Sequence, residues 1–309
     1  MGMQTMPEGS APIPAAQRAT PKSWTLTEFV LDPLRKQHTQ SEANAASVQA
    51  YFESEAPFWR SIYARNDVYA IIYQDRQAAV LSQVDRLVLP AAAKVLDIGC
   101  GAGLTSVSLA QRGFIVNAID VAPAMLAQTK RLAKDSGVEQ NVRTSEGDVR
   151  HLPFPDGMFH LVIALGVLPW LHALDGPMQE MARVLRNGGY LIITVDNRWR
   201  LHELADPFAW LSRAKNCLAL SLGARRKGPQ DPPCRRFSIR ETDALVLRTG
   251  LRKIWGATLG FGPFWFPHHC LPRSWGVALH RALQKYVVRR FPLVRSTGAH
   301  YIVLSMKAS

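Results

Sequence analysis

The chain has 309 residues, 47% hydrophobic and 20% charged, a balance that builds a packed core and excludes a disordered polypeptide. No apolar run of 18 residues is free of charge, histidine or proline, and residues 1–23 lack the apolar block of an export signal, so a soluble cytoplasmic protein with a disordered tail at 1–23 is expected. The net charge of +13 is localised: residues 198–295 hold 19 Lys/Arg against 5 Asp/Glu, while the remainder carries 18 against 19.

Residues 24–90 read as a helical segment, with apolar residues at helical spacing over 25–34, 41–62 and 69–89, closed by Pro90. The middle of the chain alternates. Strands are predicted at 94–98, 114–120, 142–146, 161–165 and 190–195, with helices at 104–112, 123–136 and 177–185 between them. Asn187-Gly188-Gly189 is read as the stop of the third helix. Strands alternating with helices predict an α/β fold, a Rossmann-like doubly wound sheet covered on both faces. After Asp196 the rhythm breaks. A capped helix is predicted over 238–249, with Glu241 three residues after Ser238 and Gly250 at its end. A strand at 251–260, an aromatic and proline-rich stretch at 261–272, a basic helix at 274–290 and a strand at 300–306 follow.

The nonapeptide VLDIGCGAG (95–103) carries the chemistry: an apolar strand runs into a turn with glycine at every second position, then a helix. Glycine lets the backbone bend sharply and approach a ligand, and the helix start offers free N–H groups. The spacing is not that of a dinucleotide fingerprint, whose last glycine would fall on Leu104. Asp97, before the first glycine, suits a cationic, amine-bearing ligand better than a pyrophosphate. Asp120, at the tip of the second strand, is placed to hold a ribose diol. A nucleoside without phosphates fits, and S-adenosylmethionine is such a ligand.

Five blocks in order, VLDIGCGAG, the VNAID acid (Asp120), EGDVRHLPF (146–154), FHLVIALGVL (159–168) and RVLRNGGYLIIT (183–194), resemble a class I S-adenosylmethionine-dependent methyltransferase of the type that includes ubiquinone- and menaquinone-biosynthesis enzymes. The resemblance implies a seven-stranded sheet with its last strand antiparallel. It implies a core of 91–198, 238–261 and 299–309, with 199–237 and 262–298 as basic and aromatic cap insertions over the acceptor site. It further implies that Gly99, Cys100, Gly101 and Gly103 line the methionine and ribose part, with Asp97 orienting the turn. Asp120 and Val121 would hold the ribose, Asp148 and Val149 the adenine, and Leu165 and Gly166 the methionine amine. His160 departs from the family, which has Asp before its fourth strand.

The acceptor side is read from the caps. Trp170, Phe264, Trp265 and His268 are candidate pocket residues, and His172 is the candidate base, because it follows the fourth strand near the donor. The expected function is transfer of a methyl group to a small lipophilic or anionic acceptor in small-molecule biosynthesis, with O-methylation favoured. An RNA methyltransferase and a non-catalytic S-adenosylmethionine-binding scaffold are the alternatives. Nucleic acid is disfavoured, since the residues after the fourth strand are LGVLPW rather than an Asn/Asp-Pro-Pro-aromatic loop. The four cysteines and His268-His269-Cys270 lack metal-ligand spacing, so no metal is expected. Residues 274–290 resemble a membrane-surface helix, against the favoured reading of an apolar face (Trp275, Ala278, Leu279, Ala282, Leu283, Tyr286, Val287) packed on the core.

Overall fold

A computed structural model describes residues 45–205, 234–266, 269–287, 291 and 294–308. The tail 1–23, the helix expected at 25–34 and most of the insertion 199–237 lie outside the described residues. Strands β1 (Lys94–Ile98), β2 (Ile115–Asp120), β3 (Val142–Glu146), β4 (Phe159–Leu165), β5 (Leu185–Asp196) and β6 (Leu251–Leu259) come first. A two-residue pair, β7 (Trp265–Phe266) and β8 (His269–Cys270), precedes β9 (His300–Lys307). The main sheet has the order β3-β2-β1-β4-β5-β9-β6. Strands β1 to β5 pair in parallel, and β9 runs antiparallel to both β5 and β6. The expected seven-stranded sheet with its last strand antiparallel is the observed one.

A first helix, α1, covers residues 45–61. Helices α2 (Val68–Val84), α3 (Leu104–Ala110) and α4 (Pro123–Asp135) bury Val80, Val107 and Leu126 with Val95, Leu161, Ile192 and Ile302 of the sheet. On the opposite face α5 (Asp175–Val184) and, after the short α6 (Leu201–Leu204), α7 (Ile239–Arg248) bury Met178, Met181, Leu245 and Val246 with Leu96, Val162, Ile193 and Val303. Neighbours Ile192 and Ile193 therefore serve opposite faces, as the two-residue strand period requires. The capping box predicted for α7 is present, with the Glu241 N–H donating to Ser238 Oγ and the Ser238 N–H to Glu241 Oε2.

Three expectations need correction. Helix α2 ends at Val84, short of residue 89, where Asp85 turns out to meet the Arg112 guanidinium at 2.7 Å. Asn187-Gly188-Gly189 does not precede the fifth strand but bulges within it, between the pairs Phe159–Leu185 and Leu161–Tyr190. The third concerns helix α8 (Arg273–Ala282), which packs against α2 through Gly276 and His280 rather than through Trp275, Ala278 and Leu279. The cause is local. A Cβ at Gly276 would stand 2.7 Å from Val68, and His280 is drawn inward by the Phe261 N–H (3.0 Å) and Asp75 (2.8 Å). Trp275 is left 70% exposed. Among the described residues no helix is long and apolar enough to cross a membrane.

One buried amide ties the exit of β5 to the entrance of β9. Asn197 Nδ2 donates to the carbonyls of Ser296 and Gly298, both at 2.8 Å, and its Oδ1 accepts from the Trp199 N–H. Asn197→Ala strands these groups in a dry setting, and the expected loss of unfolding free energy is about 2–4 kcal/mol. Urea unfolding of the two proteins, followed by circular dichroism, checks it.

Candidate functional site

The carboxyl ends of parallel strands are where open α/β sheets bind ligands. The structure brings the sequence-derived donor set to that edge: Asp97 near the end of β1, Gly99 to Gly103 between β1 and α3, Asp120 ending β2 with Val121 after it, Asp148 and Val149 after β3, and Leu165 ending β4 with Gly166 after it. The turn 99–103 is left-handed at each glycine, with φ of 65°, 55° and 85° at Gly99, Gly101 and Gly103. The three differ in surroundings. A Cβ on Gly103 would lie 2.7 Å from the Thr129 backbone, so that glycine serves helix packing. Around Gly101 a Cβ would meet nothing within 4 Å, which leaves this peptide facing open space. Cys100 is buried beneath the turn, its sulfur 3.6 Å from Thr129 Oγ1, and burial followed by the nearby Asp120 and Asp97 charges raises its thiol well above the usual range.

Two carboxylates brace this loop. Asp97 is 2% exposed and accepts from Ser106 Oγ in the first turn of α3 at 2.6 Å. Burial pushes its pKa up to about 7, only partly offset by that hydroxyl. Asp120 accepts from the Gly101 N–H through Oδ2 and from the Ala122 N–H through Oδ1, both at 3.0 Å. Burial raises its pKa, and these amides recover part of the shift. Each oxygen keeps a further acceptor site, so the Gly101 contact does not use up the carboxylate.

Asp148 is already engaged. The Arg150 guanidinium reaches Oδ2 at 2.6 Å and the Arg150 N–H reaches Oδ1 at 2.8 Å. Burial works to raise the carboxyl, but these bonds outweigh it and hold the pKa below the ordinary value. Val149 is buried in the core beside Ile98 and Ile119. The Gly166 N–H donates to Thr194 Oγ1 at 2.8 Å, and a Cβ at Gly166 would meet Arg76 Nη1 at 3.2 Å. His160, the departure from the family pattern, accepts the Lys94 N–H at 3.2 Å at the start of β4, far from this edge.

On the acceptor side, Trp170 stacks on Tyr51 at 5.4 Å and meets Phe52 edge-on at 5.2 Å. Phe264 is half-buried, with its ring 6.4 Å from His202. His172 is exposed on the loop after β4. His268 and the Trp265 side chain lie outside the described residues. Among the described residues no His, Cys, Asp and Glu group is arranged to hold a metal.

Other residues at this edge carry no sequence signal that singles them out. Glu53 of α1 accepts the Ala124 N–H at 3.2 Å, capping α4 from outside and fastening α1 beside Asp120. Arg76, 7% exposed, lies over the Tyr73 ring at 4.5 Å with no partner for its Nε. His300 Nδ1 meets Asp196 Oδ1 at 3.1 Å, and Arg200 approaches Asp196 Oδ2 at 2.7 Å. Burial opposes the Asp196 charge, yet His300 and Arg200 outweigh it and hold the carboxyl far below the usual range. Arg76 with Tyr73 and Arg200 with Asp196 are local pairs three and four residues apart. Glu53 with Ala124 and His300 with Asp196 meet only through the tertiary fold, where no local spacing could have paired them.

Residues 96–193 match the family model described as a methyltransferase domain. Methyltransferase GfsG of Streptomyces halstedii is 28% identical over 201 residues, covering 60% of this chain and 72% of that protein. A malonyl-[acyl-carrier protein] O-methyltransferase of Geobacter sulfurreducens is 28% identical over 165 residues, 52% of this chain and 57% of its own length. The solved structure of magnesium protoporphyrin IX methyltransferase from Synechocystis PCC 6803, with bound SAH, shares the fold at a TM-score of 0.57 and 17% identity, covering 86% of this chain and 100% of that one. Residues 96–193 are thus a methyltransferase domain, and with the five ordered sequence blocks and the sheet order these likenesses support S-adenosylmethionine-dependent methyltransferase activity. The open side of Gly101 and the free acceptor capacity of Asp120 fit that cofactor.

Asp97 supplies a pH test of the loop. Its folded pKa of about 7 lies above the ordinary value near 4, so between those values the folded state holds the extra proton. This group therefore costs stability as pH rises through that window. Asp97→Asn should lose less stability than the wild type between pH 5 and pH 8, as measured by urea unfolding at both.

Proposed function

We propose that the chain transfers a methyl group from S-adenosylmethionine to oxygen on a small lipophilic acceptor held beneath α1 and α2. The observation that carries this reading is a run of aromatic contacts along the carboxyl edge. Trp170 touches Phe52, Phe52 lies 6.2 Å from Trp59, Trp59 5.3 Å from Tyr73, and Tyr73 5.3 Å from His300. Such a wall suits an apolar, ring-bearing molecule. Along it Trp59 Nε1, Arg76 Nε and His202 Nδ1 are buried without a hydrogen-bond partner among the described residues. Buried polar groups are rarely left so, which supports a chamber that a bound molecule or water completes. The relative from Geobacter is named as an O-methyltransferase, in keeping with an oxygen acceptor.

On the donor side, Asp120 would take the ribose hydroxyls and the Gly99–Gly103 turn would pass close beneath the sugar. Asp148 would share its acceptor capacity between Arg150 and the adenine amino group, with Val149 flanking the ring. Leu165 and Gly166 would meet the methionine amine. Arg76, the one buried arginine among the described residues and a neighbour of Gly166, supplies the cation that the methionine carboxylate needs. When bound, S-adenosylmethionine supplies an electrophilic methyl on a sulfonium; the protein aligns the acceptor oxygen behind it and keeps water out.

Calorimetric titration with S-adenosylhomocysteine and with adenosine tests these roles. Asp120→Ala should weaken both ligands about 10- to 150-fold, the worth of hydrogen bonds to a charged group. Arg76→Met should weaken S-adenosylhomocysteine alone and leave adenosine unchanged. Absence of binding to the folded wild type would sink the reading.

A further inference from the structure

We infer that His300, oriented by Asp196, is the base that removes the proton from a phenolic or enolic hydroxyl acceptor, an inference that rests on the site proposed above. His300 opens β9 directly opposite Asp196, the last residue of β5. Thr194 and Asp196 are two apart on β5 and so share one face. Thr194 Oγ1 holds the Gly166 N–H, which places Asp196 one step farther out along that face, past the turn assigned to the methionine end. The pair therefore stands on the acceptor side of the donor site.

Protonation follows from the partners. Asp196 can only accept, so Nδ1 carries the hydrogen and the 3.1 Å bond fixes that tautomer. The lone pair is left on Nε2, which has no hydrogen-bond partner among the described residues and is not among the enclosed polar atoms. The groups around this ring are Arg76 and Tyr73 from α2, Asp196 from β5, Arg200 and His202 after β5, and Cys234 before α7. Burial lowers the His300 pKa, and the Arg76 and Arg200 charges act the same way, with Asp196 offsetting only part. The ring is thus a neutral base at neutral pH, packed edge-on to Tyr73 at the end of the aromatic wall.

The step balances as follows. The acceptor O–H proton passes to Nε2, and the oxygen lone pair forms the bond to the methyl carbon as the carbon–sulfur bond breaks. The bonding pair stays on sulfur, giving the neutral thioether, and the imidazolium beside Asp196 later returns its proton to water. A weak base of this kind matches a hydroxyl of phenol or enol acidity, whereas an aliphatic alcohol lies too far from it in pKa. His172, exposed on its loop, has no such orienting partner among the described residues.

Two measurements on the full chain test this. Long-range proton–nitrogen spectra of 15N-histidine-labelled protein with S-adenosylhomocysteine bound should show a ring with hydrogen on Nδ1 and a pKa below the ordinary histidine value. Its signals should vanish in His300→Gln; if that variant does not fold, Asp196→Asn assigns them by shifting that ring. Turnover of S-adenosylmethionine with 4-nitrophenol, phenol and 4-methoxyphenol should then fall at least about 100-fold in His300→Gln for the two weaker acids. The loss should be smaller for 4-nitrophenol, which ionises unaided at pH 8. A ring with hydrogen on Nε2, an equal loss across the three phenols, or the same graded loss in His172→Gln instead of His300→Gln would overturn the assignment. Wild type that binds S-adenosylhomocysteine yet methylates none of the phenols overturns the acceptor class; wild type that fails to bind it overturns the methyltransferase reading beneath.

Discussion

The arrangement of this edge depends on one pair of hydrogen bonds, those from the Gly101 and Ala122 amides to the two oxygens of Asp120. They join the turn after β1 to the turn after β2, so the two loops behave as one body. With the Cys100 N–H on the Ile119 carbonyl (3.0 Å) and Thr129 Oγ1 on the Gly101 carbonyl (2.9 Å), these bonds hold a left-handed turn that its glycines would otherwise be free to leave. The constraint has an electrostatic side. Burial raises the cost of charging Asp120 and a second carboxylate, Asp97; the Asp120 charge adds to that cost at Asp97, and the Glu53 charge adds to it at Asp120. A cationic ligand relieves both at once. The electrostatic cost at this edge therefore sits on these two carboxylates.

From this body the rest of the edge is fastened outward. Glu53 binds α1 to the start of α4, and Gln128 Nε2 on α4 reaches back to the Ala56 carbonyl at 2.8 Å. The aromatic residues of α1 come into place above the donor loop through these two links, and α2 follows through the Trp59–Tyr73 contact. Methyl transfer gains from this because alignment is the larger part of what the protein contributes. Donor loop, aromatic wall and the Asp196–His300 pair succeed one another along the sheet edge.

Much of this was legible in the chain. Strands β1 and β3 fall on the predicted residues because short apolar or alternating runs between turn signals admit little else. The cap of α7 was readable because Ser238 and Glu241 act over three residues. The failures share a cause. Apolar periodicity in α8 marked Trp275 and Leu279, but the buried face was set by a glycine and a histidine, which such patterns do not count. Asn187-Gly188-Gly189 reads as a stop, yet β5 runs through it as a bulge against β4. Arg76, His300 and Asp196 belong to separate segments, and what gathers them is the insertion of β9 between β5 and β6.

That insertion bears on how the molecule is made. Among the described residues β9 is the last strand in order but an inner strand of the sheet, and β6 pairs with β9 alone. Synthesis from the N-terminus completes the donor half, β1 to β5, while one flank of β5 is still bare and open to any other extended chain. At that stage the aromatic residues of α1 and α2 and Trp170 are already made, while Asp196 still has no His300 opposite it.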